Sequence, residues 1–351
     1  MSQKHKIRSR AGVVWAMLCG IVLALAATTS GRAAETKVPR RLQGDRISGL
    51  AFSRQGDRIA AGCDGRIQIW EVATRRLVQT LVGHLGAVES LMFSHDGSLL
   101  ASASKSESLI WNTADFSLRT KIEWPAKFPL VVFSPNGKML VLGSKQVRDE
   151  DGQRRPPSDL WKSSHEMRVW DVAEGKMLDS PIPDALGSAA AFSPDGKTLA
   201  IGTATGGDHV EHERRGPHGM VRLYKLDTGK PPTLVTIVHS SVVDLTFTRD
   251  GKVVSGHAHG WVVARSSDSR EPREKLKQFR KPSEAVVSLA LAPGGGQVAF
   301  VTKDGLEVWD TRLEKLVRKI PDINGAVAFS PDGKRYAAGK GTEVLWWDSK
   351  R

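Results

Sequence analysis

One phrase recurs along this chain and limits what it can fold into: two or three apolar residues, then Phe-Ser-Pro-Asp-Gly-Lys or a decayed copy. It stands at Phe52 to Gly56, Phe93 to Gly97, Phe133 to Gly137, Phe192 to Gly196, Phe247 to Gly251, Leu291 to Gly295 and Phe329 to Gly333. The glycines are spaced 41, 40, 59, 55, 44 and 38 residues apart. Seven copies at a period of about 40 residues imply a propeller or a solenoid. Each copy reads as strand, tight turn, strand: the proline presets φ, and the glycine supplies the positive φ that a short hairpin demands.

A second phrase follows six of the seven glycines, an apolar pair ending in an aromatic. It is Ile69-Trp70, Ile110-Trp111, Val169-Trp170, Leu223-Tyr224, Val308-Trp309 and Trp346-Trp347. Asp follows in Trp170-Asp171, Trp309-Asp310 and Trp347-Asp348. A small turn and a more basic fourth strand, as in Arg76 to Val82, lead to the next copy. The unit is four short antiparallel strands. Such a blade cannot bury both faces alone, so blades must stack radially.

In these residues the chain resembles the WD-repeat (WD-40) β-propeller family, of an exported bacterial type. The specific marks are the Trp-Asp dipeptides, Gly83-His84 and Asp64-Gly65. The resemblance implies an all-β fold, a seven-bladed β-propeller of four-stranded antiparallel blades beginning near residues 46, 85, 128, 185, 240, 283 and 324. It also implies closure by pairing of the N-terminal strand, placed at Val38 to Gln43, with the last blade. The family often links a turn His, a turn Asp and the Trp by hydrogen bonds. No blade here has both polar members: the first has Asp64 with Asp45 at the His place, the second His84 with Lys105 at the Asp place, and the fifth has His239, His259-Gly260 and Arg265. Stability is therefore expected to rest on blade packing rather than on that network.

The N-terminus reads as an address. Lys4, Lys6, Arg8 and Arg10 precede an apolar run from Ala11 to Ala27, and Ala24-Leu25-Ala26 and Gly31-Arg32-Ala33 both fit a small-x-small cleavage site. Residues 1–33 are expected to be a signal peptide, and 34–351 the propeller, periplasmic or secreted. The run also meets the lower length limit for an uncleaved membrane anchor. No other stretch is apolar enough to span. Residues 1–33 hold five basic residues and no acid, so their removal takes the formal net charge from +13 to +8. Cys19 leaves with them, and Cys63 alone remains, so no internal disulfide forms.

Two copies are long at the same place, between the second and third strands: residues 145–165 in the third blade and 204–217 in the fourth. Insertions gathered on one face of a repeat array mark a binding surface. The candidate partner-binding residues are Arg148, Arg154, Arg155 and Trp161 in the first insertion, and His209, His212, Arg214 and Arg215 in the second. A Trp among arginines suits an interface anchor, against the alternative that Trp161 folds back as a local core. His209 and His212, with carboxylates between, are the weak candidate for a metal site. They lack a third ligand at a diagnostic spacing, and a solvated loop explains them as well. Arg265 to Lys281 forms a basic stripe, but Asp268, Glu271 and Glu274 interrupt it and Phe279 is its one aromatic, which argues against specific nucleic-acid binding.

The sequence holds no nucleophile elbow, no Walker-type phosphate loop and no His-Glu-x-x-His. Cys63 reads as a small packed residue rather than a nucleophile. The expectation is a monomeric, non-catalytic protein-interaction scaffold without cofactor, with protein partners and no membrane span after cleavage. The alternative is a periplasmic propeller enzyme or small-ligand binder, lactonase-like, with its site at the central channel. Carboxylates or histidines converging there from several blades would favour the alternative; Ala, Val and Ser would disfavour it.

Overall fold

The computed structural model describes residues 36–37, 46–124, 126, 129–146, 165–178, 187–203, 219–226, 232–238, 241–248, 250–257, 261–265, 277–278, 286–293, 296–311 and 315–349. They build seven antiparallel sheets and no helix. Blade 2 shows the plan: Ser90–Phe93, Leu99–Ala103, Ser108–Asn112 and Leu118–Ile122, in that order from the channel outward. The innermost strands of the other blades are Gly49–Phe52, Val131–Phe133, Gly187–Phe192, Val242–Phe247, Val286–Leu291 and Val327–Phe329.

Blade 1 differs in that its second and third strands are continuous, Arg58–Glu71. Fourteen extended residues would span roughly 46 Å. Yet Val72 N donates to Asp57 O at 2.7 Å, so the ends of this stretch meet. The stretch is a hairpin folded at Gly65, whose φ is 65°. Blade 7 takes its outermost strand from the start of the chain: Thr36 pairs with Trp346 and Lys37 with Leu345. That pairing lies two residues upstream of the expected Val38, and residues 38–45 are outside the described ones.

The repeated phrase explains its own turn. In five copies the Ser or Thr hydroxyl donates to the turn carboxylate or amide: Ser94 to Asp96, Ser134 to Asn136, Ser193 to Asp195, Thr248 to Asp250 and Ser330 to Asp332, at 2.5–2.7 Å. The same hydroxyl accepts the N–H of the residue that opens the second strand, as Leu99 N to Ser94 at 2.9 Å and Arg335 N to Ser330 at 2.9 Å. The glycine N–H returns to the Ser carbonyl, with Gly97 at φ 76° and Gly333 at φ 68°. Blade 1 keeps the device with Asp57 in place of the missing turn Asp, 2.6 Å from the Ser53 hydroxyl.

Packing is between blades rather than within them. Seven apolar clusters fill the gaps between neighbours, and the one containing Ile47, Phe52, Trp70, Ala337 and Trp346 joins blade 7 to blade 1. Small residues on the second strand make room for the next blade. A Cβ on Gly62 would come within 2.8 Å of Val88, and one on Gly339 within 2.7 Å of Ile47. Cys63 is fully buried in the blade 7–1 cluster, where burial pushes its thiol up, as expected for a packed side chain.

The expectation that no blade closes a polar network is corrected in blade 2. Glu107, two residues past the position assigned to the acid, substitutes for it. Trp111 Nε1 donates to Ser102 Oγ at 2.9 Å, and Ser102 Oγ lies 2.7 Å from His84 Nε2. His84 Nδ1 is 3.0 Å from Glu107 Oε1, which also accepts Ser104 Oγ at 2.7 Å and Leu85 N at 3.0 Å. Burial lowers the His84 pKa and outweighs the pull of Glu107 in the other direction. Burial by itself would raise the Glu107 carboxyl, but the Ser104 hydroxyl, the Leu85 N–H and His84 outweigh it and hold the group low. A neutral His84 carrying its proton on Nδ1 satisfies every member. Blade 1 has no such chain: Trp70 Nε1 and Gln68 Oε1 are buried with no partner among the described residues.

Candidate functional site

The innermost strands all run the same way, so the ring has two unlike mouths. The Ser-Pro-Asp-Gly turns surround one. The other is framed by Arg46, Ser48, Glu89, Val287 and Gly325, where the chain enters each innermost strand. Because the second strand returns antiparallel, every link between second and third strands emerges at this second mouth. The strands that flank both insertions end at this mouth: Gln146 pairs with His165, and Gly202 with Val221. Blades 3 and 4 are neighbours sharing one core. Arg148, Arg154, Arg155, Trp161, His209, His212, Arg214 and Arg215 lie outside the described residues, as do residues 1–33.

The described part of this face is mixed. Leu85 is 78% exposed and Val287 45%, large values for aliphatic side chains. On the same face Lys105 pairs with Glu89 at 3.6 Å and Lys340 with Asp322 at 3.4 Å. Isolated exposed pairs of this kind add little stability, so their residues are available for other contacts. Of the basic stripe, Arg265 ends the third strand of blade 5 and Lys277 lies in its outermost strand; the intervening residues are outside the described ones.

Among the described residues two cavities lie along the axis. The larger, about 610 Å³, opens toward the turns and is walled mainly by aliphatic, Phe and Ser residues, with Arg54 and His95 at its rim. The smaller, about 180 Å³, lies at the insertion-bearing mouth. Asp244, from the innermost strand of blade 5, lines both and so marks the level where they meet. It is half-buried, opening on the lumen but walled by protein, and the one hydrogen bond to its carboxylate among the described residues is from Leu245 N at 2.8 Å. Burial raises its carboxyl to about 7, against a small opposing effect of that N–H. Sequence reading did not single out Asp244. The available signal was a carboxylate at a position that holds Gly49, Ser90, Leu130, Ala189, Ser288 and Ala326 in the other copies. Among the described residues no group of three His, Cys, Asp or Glu could hold a metal ion.

Residues 37–71 and 75–112 match the profile of the WD domain, G-beta repeat family. The chain carries WD40 repeats on a seven-bladed β-propeller. Over 145 residues, 39% of the chain, it is 34% identical to Periodic tryptophan protein 2 homolog of Schizosaccharomyces pombe, matching 14% of that protein. Over 96 residues, 26% of the chain, it is 32% identical to Retinoblastoma-binding-like protein E of Dictyostelium discoideum, matching 18% of that protein. The chain thus spans under a fifth of the length of either relative. Its fold is similar to the crystal structure of the β-propeller domain of Myceliophteria thermophila Cps50 (Swd1), with a TM-score of 0.66 and 17% identity, covering 89% of this chain and 99% of that one. WD40 propellers are generally protein-interaction scaffolds.

Proposed function

We propose that this chain is a non-catalytic protein-interaction scaffold acting outside the cytoplasm, with its partner surface on the face that bears insertions 145–165 and 204–217. The observation that carries this reading is that the strands flanking both insertions, closing at Gln146, His165, Thr203 and Gly219, end at the mouth where Leu85 and Val287 are exposed. Exposed aliphatics rimmed by charged pairs have the make-up of a protein contact surface. The wall of the larger cavity supports the same reading: it is largely aliphatic, Phe and Ser, with Asp244 its one carboxylate among the described residues. Export rests on the basic and apolar layout of residues 1–33.

The test is site-specific photo-crosslinking of the exported protein in its own envelope. A crosslinker at Leu85 or Val287 should trap a discrete partner, and one at the turn residue Lys197 on the opposite mouth should not. Equal trapping from both mouths would refute the assigned face. A reporter active only outside the cytoplasm, fused after residue 40, should be active; an inactive fusion would refute export.

A further inference from the structure

The Asp244 carboxylate has no counter-charge among the described residues. In two other blades the matching residue is a serine that bridges to the next blade: Ser90 accepts Val131 N, and Ser288 accepts Val327 N, both at 3.2 Å. Asp244 makes no such bridge. It has no ion pair among the described residues, although charged groups share its cavities: Arg46 and Glu89 toward the insertion-bearing mouth, Arg54 and His95 toward the turns. A carboxylate held in protein without a counter-charge is costly, and proteins place such groups where a ligand completes them.

We propose that Asp244 is the receptor for an alkylammonium or alkylguanidinium group entering the channel from the insertion-bearing mouth. The smaller cavity sets the size. At about 180 Å³ it falls below the roughly 300 Å³ at which sites for drug-sized ligands begin, and it suits one extended chain with a charged end. Its wall suits such a group: Val243, Val287 and Ala326 offer apolar surface to the alkyl stem, and Ser48 and Ser288 line the same cavity with hydroxyl oxygens. An anion would meet Asp244 unfavourably, and a neutral alcohol would leave the charge unpaired. The inference goes beyond the scaffold reading and does not rest on it, because a small cation tests the channel with no partner present.

The experiment measures binding of n-butylguanidinium, n-butylamine and n-butanol to the purified chain lacking residues 1–33, by ligand-observed NMR at about pH 8 and about pH 5.5. Both cations should bind at the higher pH and weaken at least about tenfold at the lower one, as the carboxylate takes up its proton. Asp244→Asn should weaken them at least about tenfold at the higher pH, a change of about 1.4 kcal/mol. Butanol should not bind. A lysine- or arginine-containing peptide binding at least about tenfold tighter than the free amines would assign the group to a polypeptide side chain; equal affinities would assign it to a free amine. Equal cation binding by the wild type and Asp244→Asn, equal binding of butanol, or no binding at all would overturn the proposal. A carboxyl-carbon NMR titration of the wild type checks the result without a variant: n-butylguanidinium should lower the Asp244 pKa, and an unmoved titration would also overturn it. Asp244→Asn should melt no lower than the wild type at about pH 8, since it removes an unpaired charge; a lower melting temperature would make the carboxylate structural and overturn the proposal.

Discussion

Replacing Glu107 with Ala removes the acceptor at the end of the blade 2 network and leaves three donors facing an apolar methyl. These are the His84 Nδ1–H, the Ser104 hydroxyl and the Leu85 N–H, at 3.0, 2.7 and 3.0 Å. Both partners of the His84–Glu107 pair are almost wholly buried, with side-chain exposures of 1% and 2%, so water cannot replace the lost acceptor. Hydrogen bonds to a charged group contribute about 1.5–3 kcal/mol each, and a buried donor left without its acceptor costs about 1–3 kcal/mol, losses that are not additive across one shared acceptor. The expected destabilisation of Glu107→Ala is therefore about 3–5 kcal/mol, a large part of the stability of most domains. Glu107→Gln keeps one acceptor oxygen and should cost about 1–2 kcal/mol. Glu89→Ala, which breaks an exposed pair with Lys105, should cost at most about 1 kcal/mol. Urea unfolding followed by tryptophan fluorescence reads all three from the midpoint at constant slope. If Glu107→Ala costs no more than Glu89→Ala, the network is ornamental and the reasoning fails.

Three further outcomes follow from the same contacts. Gly62→Ala and Gly339→Ala should each destabilise by about 1–3 kcal/mol, because the new methyl meets Val88 or Ile47 of the next blade; Gly86→Ala, with open space around its Cα, should be neutral in the same urea assay. The turn carboxyls of Asp96, Asp195, Asp250 and Asp332 are held below their ordinary value chiefly by the Ser or Thr hydroxyl of the same turn. Their contribution is present above the unfolded value near 3.8 and lost as pH falls through the native ones, so replacing Ser193 and Ser330 with Ala should flatten the acid limb of a melting-temperature profile. Asp244 acts with the opposite sign: its native carboxyl titrates at about 7, so the folded state loses stability as pH rises from about 4 to about 7, and Asp244→Asn should remove that fall.

What could be read in the sequence was what is local in it. The turn phrase specifies its own geometry, because Ser193, Asp195, Gly196 and Thr198 bond to one another within six residues. The Trp-ending third strands of blades 1, 2, 6 and 7 could be placed for the same reason, each 14 residues beyond its glycine. Glu107 was passed over because the acid was sought at a fixed offset from Trp111, whereas burial beside His84 decides which carboxylate is used. Its signal was present: an acid before an apolar strand, in the one blade that also has Gly83-His84. Asp244 lay further from reach. Its strand alternates like its neighbours, and only the closing of six other strands around it turns an ordinary Asp into an enclosed charge.

The seven apolar clusters sit in the gaps, so each blade contributes half of two cores and owns none. The unit that is copied along the chain and the unit that coheres are thus out of step by half a period. Losing one blade strips two gaps of a wall each, and gaining one requires a whole sheet with both faces already suited to its neighbours. Such a ring changes its length in complete blades, while its loops, which belong to no gap, are free to lengthen as those of blades 3 and 4 have done.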